Sequence, residues 1–128
     1  MNNISVLLID DHKDYSHLIE NELRRNGIKV NDRITHREFM QSSIITLPDV
    51  ILISFRNTFT RALKSLVTVK KKYPSARIVV YACIFDKQSI NEIIRNNVNG
   101  LVFNVEEKPD ELLNAINVVS KDKKYFNF

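Results

Sequence analysis

The chain has few of the residues that support disulfide-rich, fibrous or membrane-spanning proteins. Its 128 residues include one cysteine, two glycines, three prolines and no tryptophan. Because Cys83 is alone, no internal disulfide can form, and no apolar run is long enough for a transmembrane helix. The chain does not open with a basic segment followed by an apolar one, so we expect no signal peptide. These absences favour a single cytoplasmic domain.

Basic residues outnumber acidic ones, and many of them fall in two short segments. The formal net charge is +4, and the lysines cluster at Lys70-Lys71-Lys72 and between Lys121 and Lys124. One interpretation is a surface that faces nucleic acid. The other is a pair of solvated helix ends, where lysine also suits the helix dipole. The second is favoured, since no aromatic residues interleave with these lysines and no nucleic-acid motif contains them.

One apolar run marks the centre of the fold. Val50 to Ile53 are consecutive branched apolar residues without alternation, which is typical of a strand buried on both faces of a parallel sheet. The polar residue Ser54 follows at once. In open parallel sheets, ligands and chemistry gather at the carboxyl ends of the strands. Ser54 is therefore the first candidate for a functional residue.

Strand patterns alternate with helical patterns five times along the chain. The predicted strands are 4–9, 28–34, 49–54, 76–82 and 101–103, and the predicted helices are 14–26, 37–45, 59–73, 86–98 (starting at Asp86 or Ser89) and 109–119. Such alternation implies a parallel sheet with helices on both faces. Residues 1–121 are assigned to one domain, and 122–128 to a tail, partly disordered, or to the start of a linker.

Several segments resemble one known family. They are the acidic pair Asp10-Asp11 after the first strand, Leu47 to Ile53 with its Pro-Asp-Val, Tyr73 to Val80, Asn99 to Phe103, and Pro109 to Leu113. Together they resemble the receiver domain of bacterial two-component response regulators, with the last segment most like receivers joined to LuxR-type DNA-binding domains. The resemblance covers almost the whole chain. It implies a flavodoxin-like (βα)5 fold, a doubly wound parallel sheet of five strands in the order 2-1-3-4-5.

The same resemblance shows that most of the family's phosphorylation chemistry is replaced here. The family uses two acids to bind Mg²⁺, an aspartate to accept a phosphoryl group, a Thr or Ser and a Lys to hold it, and an aromatic residue that follows the switch. The matching positions are Asp10 and Asp11 for the acids, Ser54 for the acceptor, Ala82 for the Thr or Ser, Asn104 for the Lys, Leu101 for the aromatic, and Asn57-Thr58 for a Met-Pro pair. Only the acidic pair remains.

A serine at the acceptor position lacks the chemistry of aspartate. A serine hydroxyl needs a base, whereas an aspartate carboxylate is already charged at neutral pH. The predicted elements bring no histidine near Ser54. Asp10 and Asp11 have two interpretations: residual Mg²⁺ or Ca²⁺ binding, or retained capping and solvated acids that pair with Arg56 or Lys13. The second is favoured.

The sequence therefore predicts a degenerate receiver, or pseudo-receiver, that is not an enzyme and acts in signalling or transcription regulation without phosphorylation. No cofactor is expected beyond weak Mg²⁺ binding. The expected partner is another protein or a second copy, through the fourth helix, fifth strand and fifth helix (91–97, 101–103 and 112–119). DNA is expected only through a further C-terminal domain, and no membrane contact is expected. The alternatives are a Mg²⁺-dependent phosphoacceptor in a phosphorelay and a small-ligand sensor.

Overall fold

Six strands and five helices alternate in the part of the chain that the structure, a computed structural model, describes: residues 3–44, 46–56, 59–82, 86–103 and 108–127. The strands are β1 (Ser5–Ile9), β2 (Lys29–Ile34), β3 (Val50–Ser54), β4 (Ile78–Ala82), β5 (Gly100–Phe103) and β6 (Tyr125–Asn127). The helices are α1 (Lys13–Arg25), α2 (His36–Met40), α3 (Phe59–Lys72), α4 (Lys87–Arg95) and α5 (Pro109–Val119). None of these helices has the length and apolar character needed to cross a bilayer.

All neighbouring strands pair in parallel, in the order β2-β1-β3-β4-β5-β6. The strand β3 lies near the middle between β1 and β4, and all five of its residues are buried, as the unbroken apolar run predicts. The flavodoxin-like fold with the order 2-1-3-4-5 is confirmed. The expected number of five strands is corrected to six.

Two hydrophobic clusters cover the two faces of the sheet. Alternate residues of each strand point to opposite faces, so Val50 and Leu52 pack beneath α1 and α5, whereas Ile51 and Ile53 pack beneath α3 and α4. By the same alternation, Ser54 points to the face of Leu52. Because the helices cover the apolar residues on each face, they also fix the face on which a polar residue at the end of a strand lies.

Local capping signals explain where the helices begin. The Asp86 side chain accepts a hydrogen bond from the Ser89 backbone N–H at 2.7 Å, so of the two predicted starting residues Asp86 caps α4. Thr35 and Glu38 form a capping box at the start of α2. The helix α2 ends at Met40, so it is shorter than the predicted 37–45.

The sixth strand arises from residues assigned to the tail. Tyr125 pairs with Gly100 in register, and its backbone N–H donates to the Asn99 carbonyl oxygen at 3.0 Å. The Tyr125 hydroxyl also bonds the Glu111 carboxylate on α5. A Cβ on Gly100 would lie only 3.2 Å from the Tyr125 carbonyl oxygen and 3.1 Å from Val79 Cγ2. Glycine at this position therefore allows β6 to close the edge of the sheet beside β5.

Candidate functional site

Three polar side chains meet where β1, β3 and β4 end. Ile9 pairs with Ile53 and Ser54 pairs with Tyr81, so Asp10 and Ser54 end neighbouring strands. Asp10 is 3% exposed, Ser54 1% and Tyr81 0%. Asp10 and Ser54, each predicted to follow a strand, thus lie at the same carboxyl edge of the sheet. Tyr81 joins them, although the sequence pattern indicates only an apolar strand residue there.

Tyr81 holds Asp10 through a buried hydrogen bond. The Tyr81 hydroxyl donates to Asp10 Oδ2 at 2.6 Å, and Asp10 Oδ1 accepts from the His12 backbone N–H at 2.8 Å. Burial raises the pKa of the Tyr81 hydroxyl well above its usual value, and the Asp10 charge raises it further. Tyr81 is therefore a neutral donor at physiological pH, and both Asp10 oxygens already accept hydrogen bonds.

Asp11 is held by two donors from other elements. Its Oδ1 accepts from the His36 backbone N–H and its Oδ2 from Arg61 Nη1, both at 2.8 Å. Burial works to raise the pKa of Asp11, but the His36 and Arg61 hydrogen bonds and charges outweigh it, so this pKa is lowered. The carboxylate is therefore ionised and paired. Its partner is Arg61 of α3, which the sequence reasoning missed, rather than Arg56 or Lys13.

Arg56 lies at the rim of this site. Its guanidinium carbon is 3.7 Å from the centroid of the Tyr15 ring on α1, a cation–π contact. Its backbone N–H donates to Ser54 Oγ at 3.2 Å. Arg56 thus bridges the loop after β3 to α1, and the Ser54 hydroxyl oxygen caps its backbone.

A histidine does lie beside Ser54, so the expectation of none is wrong. His36 is buried; its Nε2 is 3.0 Å from the Ser54 carbonyl oxygen and its Nδ1 is 2.7 Å from Ser65 Oγ. A carbonyl oxygen can only accept, so Nε2 carries a proton and donates it. His36 therefore braces the backbone of Ser54 against α3, and in this geometry it is not a base for the Ser54 hydroxyl.

The pKa of His36 makes a pH dependence of stability measurable. Burial lowers this pKa below its usual 6.5 despite the raising effects of Asp11 and the Ser54 carbonyl. At a pH between the folded and the unfolded pKa of His36, the unfolded chain binds a proton that the folded chain does not. The folded state therefore loses stability as the pH falls from 6.5 toward the folded pKa. The limiting slope of the unfolding free energy is about 1.4 kcal/mol per pH unit. Urea unfolding at several pH values should show this slope in the wild type and in His17→Gln, and a smaller slope in His36→Gln. Equal slopes in all three would contradict the assignment.

The other predicted site positions do not join this group. Ala82 is buried in the cluster beneath α3 and α4, on the opposite face from Tyr81, and Leu101 is buried in the same cluster. Asn104 and the pair Asn57-Thr58 lie outside the described residues. Among the positions that are described, the structure therefore unites Asp10, Asp11 and Ser54 and leaves Ala82 apart.

The acidic pair does not fit a Mg²⁺ site as it stands. Mg²⁺ prefers octahedral oxygen ligands, including one or two carboxylates. Each oxygen of Asp10 and Asp11 already accepts a hydrogen bond, from Tyr81, His12, His36 or Arg61. Within the described ranges, no group of three or more His, Cys, Asp or Glu side chains is arranged to hold a metal ion. A metal ion would have to compete with these donors for the lone pairs of the carboxylates, and with the positive charge of Arg61 in particular.

No family model and no curated protein sequence matches the chain. Solved structures do match its fold. The isolated receiver domain of RcsB from Salmonella enterica serovar Typhimurium, in the presence of phosphomimetic BeF3−, superposes with a TM-score of 0.84 at 18% identity, covering 98% of this chain and 94% of that one. A LuxR-family response regulator from Aurantimonas gives a TM-score of 0.74 at 19% identity, covering 97% and 89%.

Further matches include the receiver domain of the Francisella response regulator 1452, with a TM-score of 0.74 at 19% identity over 94% of this chain and 98% of that one. A longer RcsB structure, described as undergoing conformational change for DNA interaction, matches with a TM-score of 0.84 at 18% identity. The match covers 99% of this chain and 63% of that one, so the chain spans less than two thirds of the longer protein. The chain has the flavodoxin-like fold of response-regulator receiver domains.

Proposed function

We propose that this chain is a receiver domain that signals by protein contact and independently of phosphorylation. One observation carries the proposal: the acidic pair is engaged by the protein's own side chains, Tyr81 on Asp10 and Arg61 on Asp11. The same pocket has Ser54 at the position where the family places its acceptor aspartate. Internal contacts thus take the place that a metal ion and a phosphoryl group would need.

The chemistry of Ser54 supports this proposal. Its hydroxyl would need a base to accept its proton, but the two His36 ring nitrogens are engaged by the Ser54 carbonyl oxygen and by Ser65 Oγ. The nearest carboxylate, Asp10, already accepts from Tyr81. A serine phosphoester would also be stable in water, unlike the acyl phosphate of aspartate, and would make a poor reversible switch. We therefore infer a regulatory module and not an enzyme.

The proposed contact surface is formed by α4, β5 and α5, together with β6. Because β6 pairs with the outer edge of β5, that edge of the sheet presents β6 rather than β5. Two of the exposed apolar side chains of the protein belong to this surface, Ile94 on α4 (40% exposed) and Phe126 on β6 (41%). The surface offers a protein partner, or a second copy, two partly exposed apolar side chains.

A role in transcription regulation is proposed from the structural neighbours. One of them is described as two RcsB dimers bound to two parallel DNAs, and the chain matches 65% of that protein's length. By analogy, a separate domain would bind the target DNA, and this chain would control its assembly.

The proposal predicts that the protein takes up no phosphoryl group from acetyl phosphate in the presence of Mg²⁺. The physical reason is the lack of a charged nucleophile and of free metal ligands around Ser54. Intact mass spectrometry checks it, with a receiver domain that retains the acceptor aspartate as the positive control. A stoichiometric, Mg²⁺-dependent adduct on this chain would instead support the phosphoacceptor alternative.

A small-ligand sensor has one observation in its favour. A cavity of about 240 Å³ opens beside Asp10 and is bounded by Lys13, Arg33 and Thr35 among others. The Arg33 guanidinium is committed to the Glu20 carboxylate, the Lys13 carbonyl oxygen and Ser16 Oγ. The Arg33 guanidinium is thus already engaged within the protein. We therefore favour the contact module over the small-ligand sensor.

A further inference from the structure

Lysines gather at the edge of the sheet where the strands begin, opposite the edge that carries Asp10 and Ser54. Helices end and strands start there, so the last turn of α3 and the segments that follow α1, α3 and α5 all contribute. Seven lysines lie in these segments, six of them exposed and Lys70 half-buried: Lys29, Lys70, Lys71, Lys72, Lys121, Lys123 and Lys124. We call this set the basic face.

The acidic groups near the basic face are already engaged. Asp49 accepts from the backbone N–H and the hydroxyl of Ser5, at 2.8 and 3.2 Å. Asp122 accepts from Arg77 Nε at 2.7 Å, and Glu22 and Glu92 pair with arginines on their own helices. Among the described residues, no lysine of the basic face forms an ion pair. Its positive charges are therefore left for a partner.

The Arg77–Asp122 pair also joins the two main lysine segments. Arg77 immediately precedes β4 and follows the three lysines that end α3, whereas Asp122 lies between Lys121 and Lys123 in the turn after α5. This contact brings the segments together although they are about 50 positions apart in the sequence. The basic face is thus one surface and not two separate helix ends.

Helix-dipole compensation explains only part of the basic face. Lys70, Lys71 and Lys72 lie in the last turn of α3, where cations are favoured. The last turn of α5 has no basic residue; Lys121, Lys123 and Lys124 lie beyond its end, and Lys29 lies in β2. Four of the seven lysines therefore lie outside the last turn of a helix. The structure thus favours the nucleic-acid interpretation that the sequence alone ranks second.

We propose that the basic face binds the phosphate backbone of duplex DNA without reading its sequence. Six strands at about 4.8 Å spacing make an edge about 24 Å wide, which is the length of about seven base pairs. The neighbouring Tyr73 and Tyr125 are half-buried and their hydroxyls bond the Ile44 backbone N–H and the Glu111 carboxylate, so these two rings are tied to the fold rather than free to stack on bases. Backbone contacts by exposed lysines suit a duplex better than a single strand.

Fluorescence anisotropy with a labelled random-sequence duplex of about 24 base pairs, titrated between about 25 and 200 mM salt, tests this proposal. The variants Lys70→Gln/Lys71→Gln/Lys72→Gln and Lys121→Gln/Lys123→Gln/Lys124→Gln should each weaken binding about tenfold at 50 mM salt and lower the log–log salt slope by about 2. The control Lys13→Gln/Lys87→Gln/Lys108→Gln removes the same charge from exposed positions at the opposite edge. It should change affinity less than about twofold.

Three results would overturn the proposal. The wild type could fail to bind DNA even at the lowest salt concentration. The control variant could lose as much affinity as the basic-face variants, which would show an effect of net charge alone. Finally, phosphatidylserine-containing vesicles could bind the protein while DNA does not, which would assign the basic face to membranes. None of these results bears on phosphorylation, so the proposed pseudo-receiver function stands or falls separately.

Discussion

Ser54→Asp, which restores the family's acceptor residue, is expected to destabilise the protein by about 3 kcal/mol at pH 8 and to leave it unphosphorylated. Ser54 is 1% exposed and ends the strand next to Asp10, whose charge already acts on the neighbouring Tyr81 hydroxyl. A second carboxylate buried there would lie beside the Asp10 charge, while Arg61 is committed to Asp11 and Arg56 stacks on Tyr15. Acetyl phosphate with Mg²⁺ should still give no adduct by intact mass.

The pH dependence separates charge from shape in this variant. A carboxyl group introduced beside Asp10 has its pKa raised in the folded state above about 3.9, its value in the unfolded chain. An acid with a raised folded pKa loses stability as pH rises from the unfolded value to the folded one. Urea unfolding should therefore give a Ser54→Asp penalty, relative to the isosteric Ser54→Asn, that is small near pH 4.5 and grows toward pH 8.

Mg²⁺ supplies the outcome that would contradict this view. If millimolar Mg²⁺ brings Ser54→Asp back to the stability of Ser54→Asn, the three carboxylates still form a metal site. Phosphorylation of the same variant would then show that Tyr81 and Arg61 yield easily. The site would then lack only the acceptor aspartate, and the contacts of Tyr81 and Arg61 would not prevent metal binding or phosphorylation.

The parallel sheet and the central position of β3 could be predicted because each rests on local patterns, whereas the strand order was implied by the family resemblance. The apolar run from Val50 to Ile53 specifies burial on both faces, and alternation of strand with helix specifies a parallel sheet. The strand β6 could not be predicted, because only three residues form it and the contacts that stabilise it come from residues distant in the sequence. It needs Glu111 on α5 and the absence of a side chain on Gly100. A short polar–aromatic segment gives no signal of either.

The site was predictable in its position and not in its contacts. Asp10 and Ser54 end neighbouring strands, which follows from the strand order. Tyr81 and Arg61 come from β4 and α3, and their long side chains reach the acidic pair across the fold. One signal was available: Tyr81 is the only polar-tipped residue in the apolar stretch Ile78–Ala82, and a buried hydroxyl needs a partner. The packing that directs the Tyr81 hydroxyl to Asp10 cannot be inferred from the local sequence pattern.

The hydrogen bond between Tyr81 and Asp10 is expected to stabilise the folded protein, and a double-mutant cycle measures the coupling energy between the two side chains. Tyr81→Phe should cost about 2 kcal/mol, because the buried Asp10 carboxylate loses a donor at 2.6 Å. Asp10→Asn should lower the free energy of unfolding by a similar amount, since it removes the negative charge that accepts hydrogen bonds from Tyr81 and His12. The double variant should cost about 1 to 2 kcal/mol less than the sum of the two. Additive costs in urea unfolding would show that the two groups do not support each other.

The same variants test whether this bond keeps Mg²⁺ from the acidic pair. Tyr81→Phe frees one oxygen of Asp10, so Mg²⁺ should raise the melting temperature of this variant more than that of the wild type. Asp10→Asn, with no carboxylate at that position, is the matched control and should show no gain. If Tyr81→Phe responds to Mg²⁺ no better than Asp10→Asn does, Tyr81 is not what keeps the metal out. Weak Mg²⁺ binding would then be assigned to Ser54, which takes the place of the third carboxylate of the family's site.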